Sequence, residues 1–236
     1  MGREGQILSL MREVVFDTET TGLNPKTGDR MVEIGCIELV NRVETGRIFH
    51  SYFNPDRDMP AGAEAVHGLS LAFLSDKPHF AEQAEHLLVF LADSPLVAHN
   101  ASFDFGFLNA ELSLCGLAPV PMARMVDTLA LARVRHPGAK LSLDALCTRY
   151  GIDRSHRTKH GALLDAELLT QLYIELTGGR QIGLELAADE QVLVTATAPI
   201  LTDRTFSEAR HHAPNADELI AHSAFLARIK EPVWSS

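Results

Sequence analysis

The stretch Val14-Val15-Phe16-Asp17-Thr18-Glu19-Thr20-Thr21-Gly22 decides how this chain folds. Three β-favouring apolar residues lead into one carboxylate, a second follows two positions later, and the glycine begins a turn, which together predict a strand end. Because side chains alternate across a strand, Asp17 and Glu19 project from the same face. Two acids this close repel unless a cation lies between them, and their oxygens suit Mg²⁺ or Mn²⁺ better than zinc. On these residues alone, a solvated strand end is the alternative.

The composition is that of an ordinary soluble globular protein, with 236 residues, 46% hydrophobic and 22% charged. The sequence has no run of eighteen apolar residues and no signal-peptide pattern, so we expect a cytoplasmic protein without a membrane partner. Its three cysteines lie far apart, which indicates neither a disulfide framework nor a zinc site. A net charge of −10 argues against coating long stretches of nucleic acid but allows a grip on a few nucleotides.

Cations outnumber acids between Arg124 and His160. Such a segment either lines a phosphate-bearing substrate or forms a solvated face, and a solvated face is the commoner meaning of a charge run.

Hydrophobic periodicity predicts an α/β domain with a mixed sheet and helices on both faces. After the first strand, residues 30–40 and 47–53 alternate and complete a three-stranded meander, and a loop rich in proline and glycine follows over 54–68. The rest of the domain is predicted to alternate between strand and helix, with strands at 96–100 and 125–128 and helices at 80–91, 102–115, 142–150 and 162–177.

Two further acids and one histidine are candidates for the same site. Asp104 lies early in the helix that follows the strand at 96–100, so a parallel pairing with the first strand would bring it beside Asp17. Asp165 shares a helix face with leucines, where an unpaired acid is costly. His160 precedes Gly161 and therefore belongs to the entry loop, where it could act as a general base.

Three motifs resemble those of the DEDDh 3′–5′ exonucleases in order, chemistry and interval: Asp17 to Gly22, His99 to Asp104, and His160 to Ala166. The likeness extends over roughly residues 12 to 180 and is strongest to the proofreading exonucleases of replicative DNA polymerases. His160 selects the histidine branch of the family over the tyrosine branch.

The resemblance implies a ribonuclease-H-like fold with a mixed five-stranded sheet and hydrolysis with two Mg²⁺ or Mn²⁺ ions. Asp17 would bridge both ions, Glu19 and Asp165 would complete the site of the attacking water, and Asp104 would support the second ion. His160 would take the proton from that water, and 5′-mononucleotides would leave a single-stranded or frayed DNA 3′ end. The residues expected to hold the terminal nucleotide are Thr18, Thr20, Leu23, His67 and Asn100.

The expected organisation is a loose extension over 1–11, the exonuclease domain over 12–180, a linker over 181–214 and a short amphipathic helix within 215–236. The resemblance implies that this flexible C-terminal tail binds the polymerase large (alpha) subunit and that Gln181 to Leu186 is similar to a sliding-clamp-binding motif. The residues assigned to these partner contacts are Gln181, Leu184, Leu186, Leu219, Leu226 and Trp234.

Other readings stay open at the sequence level. A free-standing exonuclease that trims RNA or short oligonucleotides would carry the same core, because the motifs act on phosphodiesters rather than on the sugar. A replisome adaptor with a vestigial site is disfavoured because the acids and His160 are all present. Zinc at His156 and His160 lacks further ligands.

Overall fold

The computed structural model describes residues 11–157, 159–178 and 213–229. The chain divides into two compact units, 1–184 and 185–236. The expected N-terminal extension up to residue 10, the expected linker up to residue 212 and the clamp-like motif lie outside the described residues.

The first unit is built on a mixed five-stranded sheet with strand order β3-β2-β1-β4-β5. Its first three strands, which pair antiparallel, are β1 (Arg12–Thr20), β2 (Met31–Val40) and β3 (Val43–Tyr52). Strands β4 (Leu96–Ala98) and β5 (Met125–Asp127) continue the sheet in parallel from β1. The predicted meander and mixed sheet are confirmed, and β1 is the central strand.

Seven α-helices of this unit lie in the described residues. They are α1 (Ala61–His67), α2 (Leu71–Leu74), α3 (Phe80–Leu91), α4 (Ser102–Leu114), α5 (Thr128–Arg135), α6 (Leu143–Tyr150) and α7 (Ala162–Leu176). Single 3₁₀ turns occur at Pro25–Thr27 and Met122–Arg124.

The prediction of a loop over 54–68 was wrong in its second half. Helix α1 occupies that stretch, and Gly68 ends it with a φ of 79° and an N–H that bonds to the Glu64 carbonyl. The glycine is therefore a helix C-cap rather than part of a loop, because it takes the left-handed conformation that a side chain disfavours.

Helices cover both faces of the sheet, as the alternation in β1 requires. Val14 and Phe16 belong to a buried cluster with α3 and α4, whereas Val15 belongs to a second cluster with α5, α6 and α7. Asp17 and Glu19 continue the register of Val15 and so point to the face covered by α7.

In the second unit, α8 spans Ala216–Leu226. The predicted capping box is present, since Asn215 accepts the Glu218 N–H and the Glu218 side chain accepts the Asn215 N–H. Leu219 is exposed, Leu226 is half-buried and Trp234 lies outside the described residues. None of the helices in the described ranges has the length and hydropathy needed to cross a bilayer.

Candidate active site

Two acids lie at the carboxyl end of β1 and a third reaches them from α4. Helix α4 follows β4, which pairs parallel with β1, so the start of the helix lies beside the end of β1. Asp104, in the first turn of α4, is buried and accepts a hydrogen bond of 2.8 Å from the Thr18 hydroxyl. That bond fixes Asp104 to the residue between Asp17 and Glu19.

Helix α7 brings the fourth acid from the opposite face. It packs closely on β2, because a Cβ at Gly35 would overlap the backbone of Leu163. Asp165, in the first turn of α7, is buried, and its Oδ1 has no hydrogen-bond partner among the described residues. Its Oδ2 accepts from Arg157 Nη2 and lies 3.1 Å from Nδ1 of His160. The free buried oxygen is therefore available to a ligand that the protein itself does not supply.

His160 lies at the mouth of this acidic cluster, with 46% of its side chain exposed. Ligand atoms of Glu19, His160 and Asp165 all lie within 4.8 Å of one another. The structure thus brings Asp17, Glu19, Asp104, Asp165 and His160, which are spread over 149 positions of the sequence, to one end of the sheet.

Burial and mutual repulsion raise the pKa values of three of these acids. Burial, followed by the charges of Asp104 and Asp165, raises the pKa of Asp17 well above its usual range. Burial and then Asp165 and Glu33 raise the pKa of Glu19 to about 8. Burial also raises the pKa of Asp104 to about 7, although the Thr18 hydroxyl favours its ionised form.

These observations fit a divalent cation. Hard carboxylate oxygens are the donors that Mg²⁺ and Mn²⁺ prefer, and one of them, Asp165 Oδ1, is buried and unpaired among the described residues. A bound cation would favour the ionised acids against the burial and the repulsion that raise their pKa values, so the donor set, its burial and its charge all suit a metal-binding site.

The sequence analysis missed two charged residues of this site. Glu33 lies opposite Glu19 in the β1–β2 register and is buried. Its Oε1 lies 2.8 Å from Nε2 of His50. Arg157, with a side chain only 7% exposed, lies between α6 and α7. The β1–β2 pairing could have revealed Glu33, whereas Arg157 was one cation among many in the basic segment.

The residues expected to hold a nucleotide surround the acids in different ways. The Thr18 hydroxyl is engaged by Asp104, and the Thr20 hydroxyl donates to the Gly22 carbonyl. Leu23 is 84% exposed, and Asn100 is exposed with a φ of 62°. Leu23 and Asn100 are therefore exposed near the end of β1, whereas the hydroxyls of Thr18 and Thr20 are already hydrogen-bonded within the protein.

His67 is buried, and its Nδ1 accepts the Leu69 N–H. The proton of the neutral ring therefore lies on Nε2, on the side of the Thr20 backbone. Burial lowers the pKa of His67 although the Thr20 backbone favours the charged ring, so the neutral ring is favoured.

A cavity of about 770 Å³ opens beside His160, between α6 and the loop that precedes α7. Arg154 and Lys159 contribute to its wall, and Arg154 pairs with Asp144 at 2.8 Å. A neighbouring cavity of about 540 Å³ is lined by Lys140 and Arg149, for which the described residues provide no ion pair. Lys140 and Arg149 therefore form a positive patch next to the cavity beside His160, whereas Arg154 is neutralised by Asp144.

Residues 14–173 match the family model described as Exonuclease. The chain therefore belongs to the exonuclease family, and the predicted exonuclease fold with a mixed five-stranded sheet is confirmed.

Within that family it is similar to proteins called DNA polymerase III subunit epsilon. The identity is 47% over 230 residues with the Rickettsia conorii protein, covering 96% of this chain and 100% of the relative. It is 41% over 234 residues with the Escherichia coli K12 protein, covering 94% and 95%.

Solved structures agree on the fold. Exonuclease X in complex with 5′ overhanging duplex DNA aligns with a TM-score of 0.55 and 28% identity over 70% of this chain and 90% of that one. The nuclease domain of 3′hExo, a DEDDh family member bound to rAMP, aligns with a TM-score of 0.62 and 16% identity over 72% and 93%. The second likeness concerns the fold alone.

Proposed function

We propose that this chain is the proofreading 3′–5′ exonuclease of a replicative DNA polymerase. The observation that carries the proposal is the convergence of four acids and His160 at one end of the sheet, in a chain that aligns with epsilon subunits over nearly its whole length. The same proposal implies a cytoplasmic location, where bacterial chromosomes are copied.

The four acids would hold two divalent ions, Mg²⁺ or Mn²⁺. Asp17, Glu19 and Asp165 would share the ion nearest the attacking water, and Asp17 and Asp104 would hold the second. When bound, the ions would stabilise the attacking and the departing oxygen. The chain itself fixes the ligands, because Thr18 holds Asp104 and the packing of α7 on β2 holds Asp165.

His160 would be the general base. In the tautomer with hydrogen on Nδ1, the ring donates to Asp165 Oδ2, and the unprotonated Nε2 can accept a proton from water. The water oxygen then bonds to phosphorus as the bond to the 3′-oxygen breaks, and solvent protonates the departing oxygen. The products are a 5′-mononucleotide and a strand shortened by one residue.

Selection of mismatches needs little reading of the base. An unpaired terminus frays at a cost a few kcal/mol lower than a paired one and so reaches a site for single strands more often. His67, Thr18, Thr20, Leu23 and Asn100 would then hold the terminal nucleotide without strong base preference.

The partners proposed for the second unit are a polymerase and its clamp. Helix α8 presents Leu219, Ile220 and Phe225 as exposed apolar side chains, which suits docking on the polymerase large (alpha) subunit together with Leu226 and Trp234. The segment from Gln181 to Leu186, with Leu184, would bind the sliding clamp.

The test is digestion of a 3′-labelled DNA primer, matched or mismatched at its end, with RNA of the same sequence alongside. Wild type with Mg²⁺ should release mononucleotides, faster from mismatched DNA, and Asp17→Asn should release none. Glu167→Gln, an exposed acid two residues from Asp165 on α7, is the matched control and should keep the wild-type rate.

Three results would change the proposal. Faster digestion of RNA would assign the chain to RNA trimming. Activity that survives Asp17→Asn would remove the acidic cluster as the site, and no activity on either polymer would favour an adaptor role.

A further inference from the structure

We infer that Arg157 is a positioning residue for the exonuclease reaction, acting through Asp165 and His160. The inference rests on the proposed function, because it concerns how the metal ligand and the base are held. It concerns a residue outside the three motifs that identify the family.

Arg157 joins two helices and the base-bearing loop. Its Nη1 donates to Asp144 Oδ1 on α6, and its Nη2 donates to Asp165 Oδ2 on α7. The same Nη2 lies 2.6 Å from Nδ1 of His160. Because a guanidinium presents its hydrogens in a planar fork, one arginine can hold these groups at fixed relative positions, which a lysine cannot.

The two oxygens of Asp165 show what this fork accomplishes. Oδ2 is occupied by Arg157 and approached by His160, whereas Oδ1 is buried and without a partner in the described residues. Arg157 thus fixes the carboxylate by one oxygen and leaves the other free for a cation. Groups that orient metal ligands in this way typically change metal affinity or activity 10- to 100-fold when removed.

Arg157 also determines how His160 can work. Its second Nη2 hydrogen can bond to Nδ1 only when that nitrogen carries no proton, whereas Nδ1–H can only donate to Asp165. In either state the ring is tethered to the Arg157–Asp165 pair, even though nearly half of its surface is open to solvent. In the tautomer that leaves Nε2 unprotonated, the bond from Nδ1–H to Asp165 Oδ2 holds the ring, so Arg157 acts on the base through the carboxylate that it fixes.

Arg154 provides a matched control. It lies three residues earlier in the same loop and pairs with the same Asp144, but the structure gives it no bond to Asp165 or His160. If activity depended only on the positive charge of this loop, Arg157→Gln and Arg154→Gln would lower it equally.

The experiment compares wild type, Arg157→Gln, Arg157→Lys and Arg154→Gln in full-length chains. For Arg157→Gln we expect kcat on single-stranded DNA to fall 10- to 100-fold with KM little changed, and Mn²⁺ binding, measured by calorimetry without substrate, to weaken about 10-fold. Arg157→Lys should recover part of the metal affinity but little of kcat. Arg154→Gln should resemble wild type in both.

A double-mutant cycle with His160→Ala separates positioning from folding. If Arg157 acts partly through the base, Arg157→Gln should cost less in kcat when His160 is already absent than when it is present. Equal costs in both backgrounds, or wild-type kcat and Mn²⁺ affinity with only a lower melting temperature, would overturn the inference. Because wild-type activity and the Asp17→Asn variant are measured alongside, failure of the proposed function is recognised separately.

Discussion

At the scale of single residues, the site combines groups that hold charge with one group that can move a proton. His160 is the most exposed of the five residues brought together, which suits contact with water, and it is anchored by Asp165. In the proposed mechanism the acids around it hold the cations, whereas the ring takes the proton. These two contributions can be separated by substitution.

We therefore predict that His160→Ala lowers kcat by about 10² to 10⁴ while Mn²⁺ affinity changes only a few-fold. The measurement is single-turnover hydrolysis of a labelled oligonucleotide, with metal binding followed by calorimetry. His156→Ala is the matched control, because this exposed histidine of the same loop lies outside the cluster. A rate near that of wild type for His160→Ala would remove the histidine as the base.

The four acids and His160 were predictable from the sequence because each is part of a short motif with fixed spacing. Arg157 and Glu33 were not, because their roles arise only when distant segments meet. Glu33 matters through its position opposite Glu19 across two strands, and Arg157 matters through carboxylates on two different helices. Short sequence patterns do not reveal contacts between segments that are distant in the chain.

At the scale of elements, the contact between α7 and β2 sets the position of Asp165. Gly35 allows that contact, because a side chain there would meet the backbone of Leu163 at the start of α7. Backbone cannot move aside as the end of a flexible side chain can, so the helix would have to shift. A shift of about 1 Å at a catalytic group can cost on the order of 10²-fold in rate.

We predict that Gly35→Ala lowers the free energy of unfolding by about 1–3 kcal/mol and kcat by at least 10-fold. Gly106→Ala is the control, because Gly106 lies in α4, two residues from Asp104, with open space around the new methyl group. It should be neutral or slightly stabilising in denaturant unfolding. Gly35→Ala behaving like Gly106→Ala would mean that the tight contact does not fix the helix.

Regular hydrophobic periodicity made most helices and strands predictable, whereas short helices defined by their caps were not predicted. The helix predicted over 80–91 is α3 at the same bounds, since its apolar side chains repeat at helical spacing. Helix α1 was missed because Pro60 and Gly68 flank only about two turns of helix and Gly62 lies within them. Helix α5 was missed because its signal lies in one residue, Asp127, which caps it by accepting the Leu129 N–H.

At the scale of the whole molecule, the acidic cluster couples metal binding to stability. The pKa of Glu19 rises from its ordinary value of 4.5 to about 8, so between these limits the unfolded chain releases a proton that the folded chain keeps. The free energy of unfolding must then fall as pH rises through this window and level off above it. The shift of Asp104 acts in the same direction.

We predict that metal-free wild type loses stability, on the order of a few kcal/mol, between about pH 5 and pH 8. Glu19→Gln in the same chelator should match wild type near pH 4.5 and exceed it near pH 8. Mg²⁺ or Mn²⁺ should raise the melting temperature of wild type more at pH 8 than at pH 5, because the ligands must be ionised to bind. Identical pH profiles for wild type and Glu19→Gln would contradict the raised pKa of Glu19.

The uneven distribution of charge determines where this acidic chain can bind a polyanion. With a net charge of −10, the protein attracts a DNA strand only where cations outnumber acids. Lys140 and Arg149 line a cavity next to the one that borders His160, and no described residue neutralises them. A strand that enters the site could lay its phosphates along this surface.

Each phosphate contact on a single strand contributes about 0.7 to the slope of log affinity against log salt. Replacing both Lys140 and Arg149 by Gln, in an Asp17→Asn background that prevents digestion, should therefore reduce the slope by about 1.4 and weaken binding for every sequence alike. Arg47→Gln, on the edge strand β3 at the other side of the sheet, should leave the slope unchanged. Fluorescence anisotropy across a salt titration measures the affinity and its salt slope. An unchanged slope in the double variant would mean that Lys140 and Arg149 belong to a solvated face. The DNA phosphates would then have to follow another path to the acids.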